Sequence, residues 1–213
     1  VALTAEGELL AETTSFDKGT HAKRLLPMVD ALLKRTGVTL SDVDGFAATI
    51  GPGSFTGLRI GLSTLKGLAA ATGKPVAVLS TLEALAHQCT VTADTVCPLL
   101  DARKKEVYYC YYRRVADGLR ALTAERNAPA LVAVSEITST CAFIGDGAAL
   151  YRERIEQSLG GRAMFAPPKE NTIRAATVAF LANKRFQSGQ ADDPYRLVPH
   201  YIRASDAVRA QRD

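Results

Sequence analysis

In 213 residues the chain has no tryptophan, three histidines, two methionines and four cysteines. Cys89, Cys97, Cys110 and Cys141 include no C-x-x-C pair, which excludes a zinc knuckle or a redox dithiol and leaves buried thiols in a reducing cytosol as their reading. His21, His87 and His200 form no H-E-x-x-H or H-x-x-x-H pair, so the sequence does not contain the converging ligand set that catalytic zinc needs. No apolar run approaches the ~20 residues of a membrane-spanning helix. The first residues also lack the charged-then-apolar pattern of a secretion signal. A cytoplasmic protein without a membrane partner is expected. Neither sign of charge dominates: the formal net charge is +4, with small basic concentrations at Arg103-Lys104-Lys105 and in the tail at Arg196, Arg203, Arg209 and Arg212. That balance suits a weak, salt-dependent nucleic-acid contact, although solvated surface charge explains it as well.

What is present reads as α/β. Residues 1–13 form a hairpin turning at Glu6-Gly7, and from Thr20 the positions Leu25, Met28, Val29, Leu32 and Leu33 recur at helical spacing up to Gly37, a C′ glycine. Pro27 falls in the second turn of that helix or bends it. Ser41 and Asp42 are candidates to cap a short turn before a strand, Gly45–Ile50. A helix over Thr56–Thr72, a strand over Val76–Ser80 and a helix over Thr81–Gln88 follow, a β-α-β-α order that implies parallel strands with helical crossovers. At Val96 the texture changes. Cys97–Asp101 and the tyrosine-rich Glu106–Arg113 predict a second meander, Val132–Val134 and Cys141–Ile144 further strands, and Ala148–Ser158 and Ile173–Arg185 helices. Two halves, each a meander followed by helices, predict a duplicated architecture with lobes over 1–97 and 98–213.

The most informative segment is GPGSFTGLRIG, Gly51–Gly61, a glycine-rich strand-to-helix turn. Gly51, Gly53, Ser54 and Thr56 make a candidate anion-binding turn, since backbone N–H groups and a helix N-terminus hold anions in such places. It is not a P-loop, because Leu58-Arg59 stands where Lys-Ser/Thr belongs, and Thr56 replaces the third glycine of the dinucleotide pattern. Nor is it a nucleophile elbow; Ser54 is expected to cap the helix. The alternative is packing. Gly57 and Gly61 share one helix face with Thr64 and Leu68, while Leu58, Leu62, Leu65 and Ala69 form a second stripe. A helix apolar or small on so much of its circumference needs cover on both sides, and with Leu25–Leu33 it makes a two-helix adhesive face.

GPGSFTGLRIGLSTLKGLA (Gly51–Ala69), HAKRLLPMVDALL (His21–Leu33), STLEALA (Ser80–Ala86), DARKKEVYY (Asp101–Tyr109), IGDGAALY (Ile144–Tyr151) and PHYIRASDA (Pro199–Ala207) together resemble the TsaB (YeaZ) family, in order and over nearly the whole chain. The resemblance implies a duplicated actin-like (ASKHA, ribonuclease H-like) two-lobed fold. It also implies a non-catalytic subunit required for threonylcarbamoyl modification of the adenosine beside the anticodon in ANN-decoding tRNAs. Implied partners are the catalytic subunit TsaD, bound largely through the first two helices, the ATPase TsaE, and tRNA reached through the complex. A homodimer is implied when the chain is alone. No cofactor is implied for the chain by itself; ATP is used by the assembled complex. The partner face expected on this basis comprises Leu25, Met28, Leu32, Gly57, Leu58, Gly61, Thr64, Leu65 and Leu68. Two departures stand out: the family opens with a strand carrying an Asp-Thr-Ser/Thr-like segment that precedes the first residue here, and Glu136–Cys141 is shorter than the helix expected there.

Two enzyme readings compete. A glycoprotease-like metallopeptidase fails on the histidines. A small-molecule kinase of the actin-like fold needs clamped phosphates and a carboxylate base; the candidates are the Gly145-Asp146-Gly147 turn and Asp101. Asp146 is also read as a cap for the following helix, and Asp101 as a hairpin end.

Overall fold

The computed structural model describes residues 1–16 and 21–202. The hairpin is formed by β1 (Ala2–Ala5) and β2 (Glu8–Glu12), antiparallel, with Glu6 and Gly7 at positive φ in the turn. Helix α1 (His21–Thr36) carries Pro27 in its second turn, where the carbonyl of Lys23 loses its i+4 donor, and stops at Gly37, whose φ is 71°. Thr39 and Asp42 bracket a 3₁₀ turn, Leu40–Asp42, with the Asp42 carboxylate accepting from the Thr39 N–H at 2.9 Å. Ser41 is therefore not the capping residue. Strand β3 (Phe46–Gly51) leads into α2 (Phe55–Thr72) and then into β4 (Val76–Ser80), parallel to β3, as a β-α-β crossover requires.

Helix α3 (Thr81–Gln88) precedes the second sheet. There β5 (Thr95–Asp101), β6 (Glu106–Tyr109), β7 (Tyr112–Val115), β8 (Gly118–Ala121) and β9 (Arg126–Pro129) are antiparallel neighbours. The predicted Tyr-rich strand is split. Extending either of its registers places Cys110 opposite Pro98, which has no N–H to give, and the ladder is interrupted there. Helix α4 (Ala130–Val134) follows, and its sequence was expected to be a strand. Ala130, Ala133 and Val134 are buried while Leu131 and Val132 are exposed, a helical spacing that the two β-branched residues Val132 and Val134 conceal. Strand β10 (Cys141–Ile144) is parallel to β5 and to β11 (Ala163–Phe165), with α5 (Asp146–Leu150) and α6 (Arg152–Leu159) in place of the single helix expected. Strand order in this sheet is β11-β10-β5-β6-β9, with β7 joined to β5 and β8 to β7. One face packs on Leu82, Leu85 and Ala86 of α3, the other on α4 and α6 through Ala133, Val134 and Ile155. The last helix is α7 (Ala175–Gln187).

The chain forms two compact units, one of Val1–Ser80 and Arg174–His200, the other built on Thr81–Ile173. Their limits differ from a boundary at residue 97 for two reasons. The apolar side of α3 is committed to the second sheet, and α7 returns to pack on β1, β3 and β4 of the first unit. The first unit's core joins Leu62, Leu65 and Ala69 of α2 to Val76 and Val78 of β4, with Leu197 of the tail against them.

Candidate functional site

Helix α2 starts where the Ser54 hydroxyl accepts the Gly57 N–H at 3.3 Å, and it ends at Gly73 in the left-handed conformation. Its buried stripe is Leu58, Leu62, Leu65 and Ala69. Gly57, Ile60, Gly61, Thr64 and Leu68 lie on another side and are half-buried. There α2 meets α1, but incompletely. Ser15, Arg24, Leu25, Met28, Gly57, Ile60 and Gly61 line a cavity of about 290 Å³. Beside it a groove of about 560 Å³ runs along Thr13, Lys23, Arg24, Pro27, Met28, Ala31 and Arg35. A Cβ placed on Gly61 meets no atom within 4 Å, so this glycine is not required by packing inside the chain. The rim of the groove is basic through Lys23, Arg24 and Arg35, and the nearby carboxylate Asp30 is paired with Lys34 at 2.8 Å.

This placement corrects part of the expected face. Leu58 and Leu65 are buried at 9 % and 4 % exposure on the inward stripe of α2 and belong to the unit's interior, whereas Leu32, though only 3 % exposed, lines the groove along α1. Leu25, Met28, Gly57 and Gly61 are brought together around the cavity, with Thr64 and Leu68 half-buried further along the same side of α2. Sequence reasoning missed Ser15, Lys23, Arg24, Ile60 and Arg35. Ile60 is three residues from Gly57 and its spacing was available; the others depend on how α1 lies on α2.

The glycine turn before α2 serves the chain's own tail. The His200 N–H donates to the Ile50 carbonyl at 2.7 Å, and the His200 carbonyl lies 2.6 Å from where a Cβ on Gly51 would be, at a φ of 125°. Gly51 and Pro52 are buried, while Gly53, Ser54 and Thr56 remain exposed at the head of the helix. Only glycine allows this backbone approach.

The turn in the second unit is likewise committed. Gly145 has a φ of 109°, a Cβ there would lie 2.3 Å from the Leu99 carbonyl oxygen, and its N–H donates to Asn171 Oδ1 at 2.9 Å. Asp146 does not cap the following helix. Its carboxylate accepts the Asp101 N–H at 2.9 Å, while Asp101 accepts the Arg103 N–H at 2.9 Å and pairs with its guanidinium at 3.2 Å. Both carboxylates of the kinase reading are thus held by this turn chemistry. His87 lies on α3 against Gly118 of β8, and among the described residues no three of His, Cys, Asp and Glu are grouped to hold a metal ion. All four cysteines are free and buried, and burial pushes the Cys89, Cys97 and Cys110 thiols up.

The family model described as "TsaD: tRNA N6-adenosine threonylcarbamoyltransferase" matches residues 9–211. The tRNA threonylcarbamoyladenosine biosynthesis protein TsaB of Bacillus subtilis is 30% identical over 210 residues, 97% of this chain and 90% of that one. The chain belongs to the TsaB family. TsaB of Haemophilus influenzae is 33% identical, over 85% of this chain and 81% of its own. The structure of YeaZ from Pseudomonas aeruginosa superposes with a TM-score of 0.79 at 34% identity, covering 94% and 92% of the two chains. With TsaB membership comes the duplicated actin-like, two-lobed fold. A tRNA N6-adenosine threonylcarbamoyltransferase of Erythrobacter litoralis also matches, 44% identical over 63 residues, but that stretch is 18% of its length. End-to-end likeness is to TsaB.

Proposed function

We propose that this TsaB-family chain is a non-catalytic partner subunit of the cytoplasmic complex that transfers a threonylcarbamoyl group to the adenosine beside the anticodon of ANN-decoding tRNAs. It pairs with the catalytic subunit TsaD through the α1–α2 face, the ATPase TsaE joins the pair, and tRNA is engaged by the assembly. Without TsaD the same face joins two copies of this chain. No cofactor is assigned to the chain alone; ATP is consumed by the complex.

One observation carries this reading. The α1–α2 face is left partly open around Gly61, where an added Cβ meets no atom within 4 Å, and Leu25, Met28 and Ile60 stand around the opening. Small residues at such a place let a second helix approach closely, and the flanking apolar and flexible side chains supply contact area once water is excluded. The commitments of the Gly145 N–H to the Asn171 side chain, and of the Asp146 and Asp101 carboxylates to backbone N–H groups, argue against the kinase alternative, because a phosphate clamp needs free N–H groups and a free carboxylate. The test is sedimentation of the purified chain alone and with TsaD. A dimer that dissociates to form a one-to-one complex with TsaD is expected; a chain that remains monomeric and ignores TsaD overturns the assignment.

A further inference from the structure

The hairpin β7–β8 in the second unit carries a pair that the linear sequence hides. Its register sets Arg113 directly opposite Arg120. Residues so opposed on an antiparallel pair share a face with Cβ atoms ~5 Å apart, and like charges there repel each other. Both arginines are exposed, and among the described residues neither side chain has a hydrogen-bond or ion-pair partner. Their neighbour Arg114 is accounted for differently, donating to the Cys89 and Val91 carbonyls at 2.6 and 3.1 Å. The hairpin's only carboxylate, Asp117, is in its turn. On the other side of Arg113 the register sets Thr95 of β5, and the adjacent Asp94 accepts the Thr140 hydroxyl at 2.9 Å.

We propose that Arg113 and Arg120 form a two-guanidinium clamp for a phosphodiester of the tRNA backbone. A phosphate between them replaces repulsion with two charge-assisted contacts, and the planar guanidinium fork matches phosphate oxygens in a way that an ammonium does not. The family's pathway makes tRNA the polyanion at hand, and the inference is independent of the α1–α2 face. Such a clamp positions the RNA without reading its sequence.

The test is binding of unfractionated bacterial tRNA to the full chain at 50 to 200 mM salt. Replacing both arginines by glutamine is expected to reduce the slope of log affinity against log salt by about 0.7 to 0.9, the value for one phosphate, and to weaken binding at the low-salt end by about tenfold. Arg120→Glu provides the control for folding. It sets a carboxylate opposite Arg113, so its melting temperature is expected to equal or exceed the parent's while tRNA binding is lost. Arg154→Gln, an exposed arginine on α6, is expected to leave the slope within error. Equal losses in Arg154→Gln and the double variant would mean general charge only and overturn the clamp. So would unchanged binding in Arg120→Glu, no measurable tRNA binding by the parent at 50 mM salt, or binding to phosphatidylserine vesicles in preference to tRNA.

Discussion

Replacing Gly61 by alanine and by leucine should move fold stability and association in opposite directions. Gly61 lies in the interior of an 18-residue helix, and a Cβ there meets open space. The substitution to alanine removes the helix penalty of glycine, about 0.8 to 1.0 kcal/mol, without a clash to offset it. For a chain of this size that raises the melting temperature by about 2 to 4 °C. Leucine keeps most of this gain but fills the α1–α2 cavity that a partner helix is proposed to use. Overpacking of a close contact costs about 1 to 3 kcal/mol, roughly a five- to hundredfold loss of affinity. Because dimerisation itself stabilises the fold by mass action, the melts are to be recorded at two protein concentrations beside sedimentation and TsaD titration. Expected are a raised melt for Gly61→Ala and, for Gly61→Leu, a folded monomer with weakened TsaD binding. A lowered melt for Gly61→Ala, or undiminished association of Gly61→Leu, would refute the reasoning.

Burial of Glu12 opposes its ionisation, but the Ala176 N–H at 2.9 Å and the Arg174 guanidinium at 2.6 Å outweigh it and hold the carboxyl below its ordinary value of 4.5. Its contribution is therefore complete above about pH 4.5 and lost as pH falls through the lower folded value. Glu12→Gln should lower the melting temperature at pH 7 and converge with the parent in acid; a pH-independent difference would remove Glu12 from this role. Gly51→Ala places a Cβ against the His200 carbonyl in left-handed backbone, a cost of about 1 to 2 kcal/mol before any clash, and should speed hydrogen exchange at the His200 amide. Asp192→Ala removes the acceptor of the Val78 N–H at 2.8 Å and should cost about 1 to 3 kcal/mol by denaturant titration, with association unchanged.

The first half of the chain was legible because its punctuation is local. Ser54, Gly73, Gly37 and the Val76–Ser80 run fix their elements through capping, left-handed backbone and a short buried run, and the structure follows them within a residue or two. Other features depend on distant partners. Leu65 and Leu58 resembled interface residues, but Leu65 is buried in the cluster with β4 and Leu58 is buried beside Gly51 at the end of β3. The glycine of GPGSFTG closest to β3 suggested an anion site, but its neighbour is the carbonyl of His200, about 150 residues on and invisible to any local pattern. Arg113 and Arg120 are seven positions apart in sequence and face each other only because Ala116-Asp117 turns the hairpin in that register.

The most direct test is reconstitution with one component omitted: TsaD, TsaE, threonylcarbamoyl-adenylate, ATP and an ANN-decoding tRNA, with and without this chain. Modified adenosine is quantified by mass spectrometry of the released nucleosides. The partner-subunit account predicts that modification depends on the chain, that Gly61→Leu lowers it in step with its weakened TsaD binding, and that the chain alone neither cleaves peptides nor phosphorylates sugars. Equal modification in the mixture lacking the chain would contradict it.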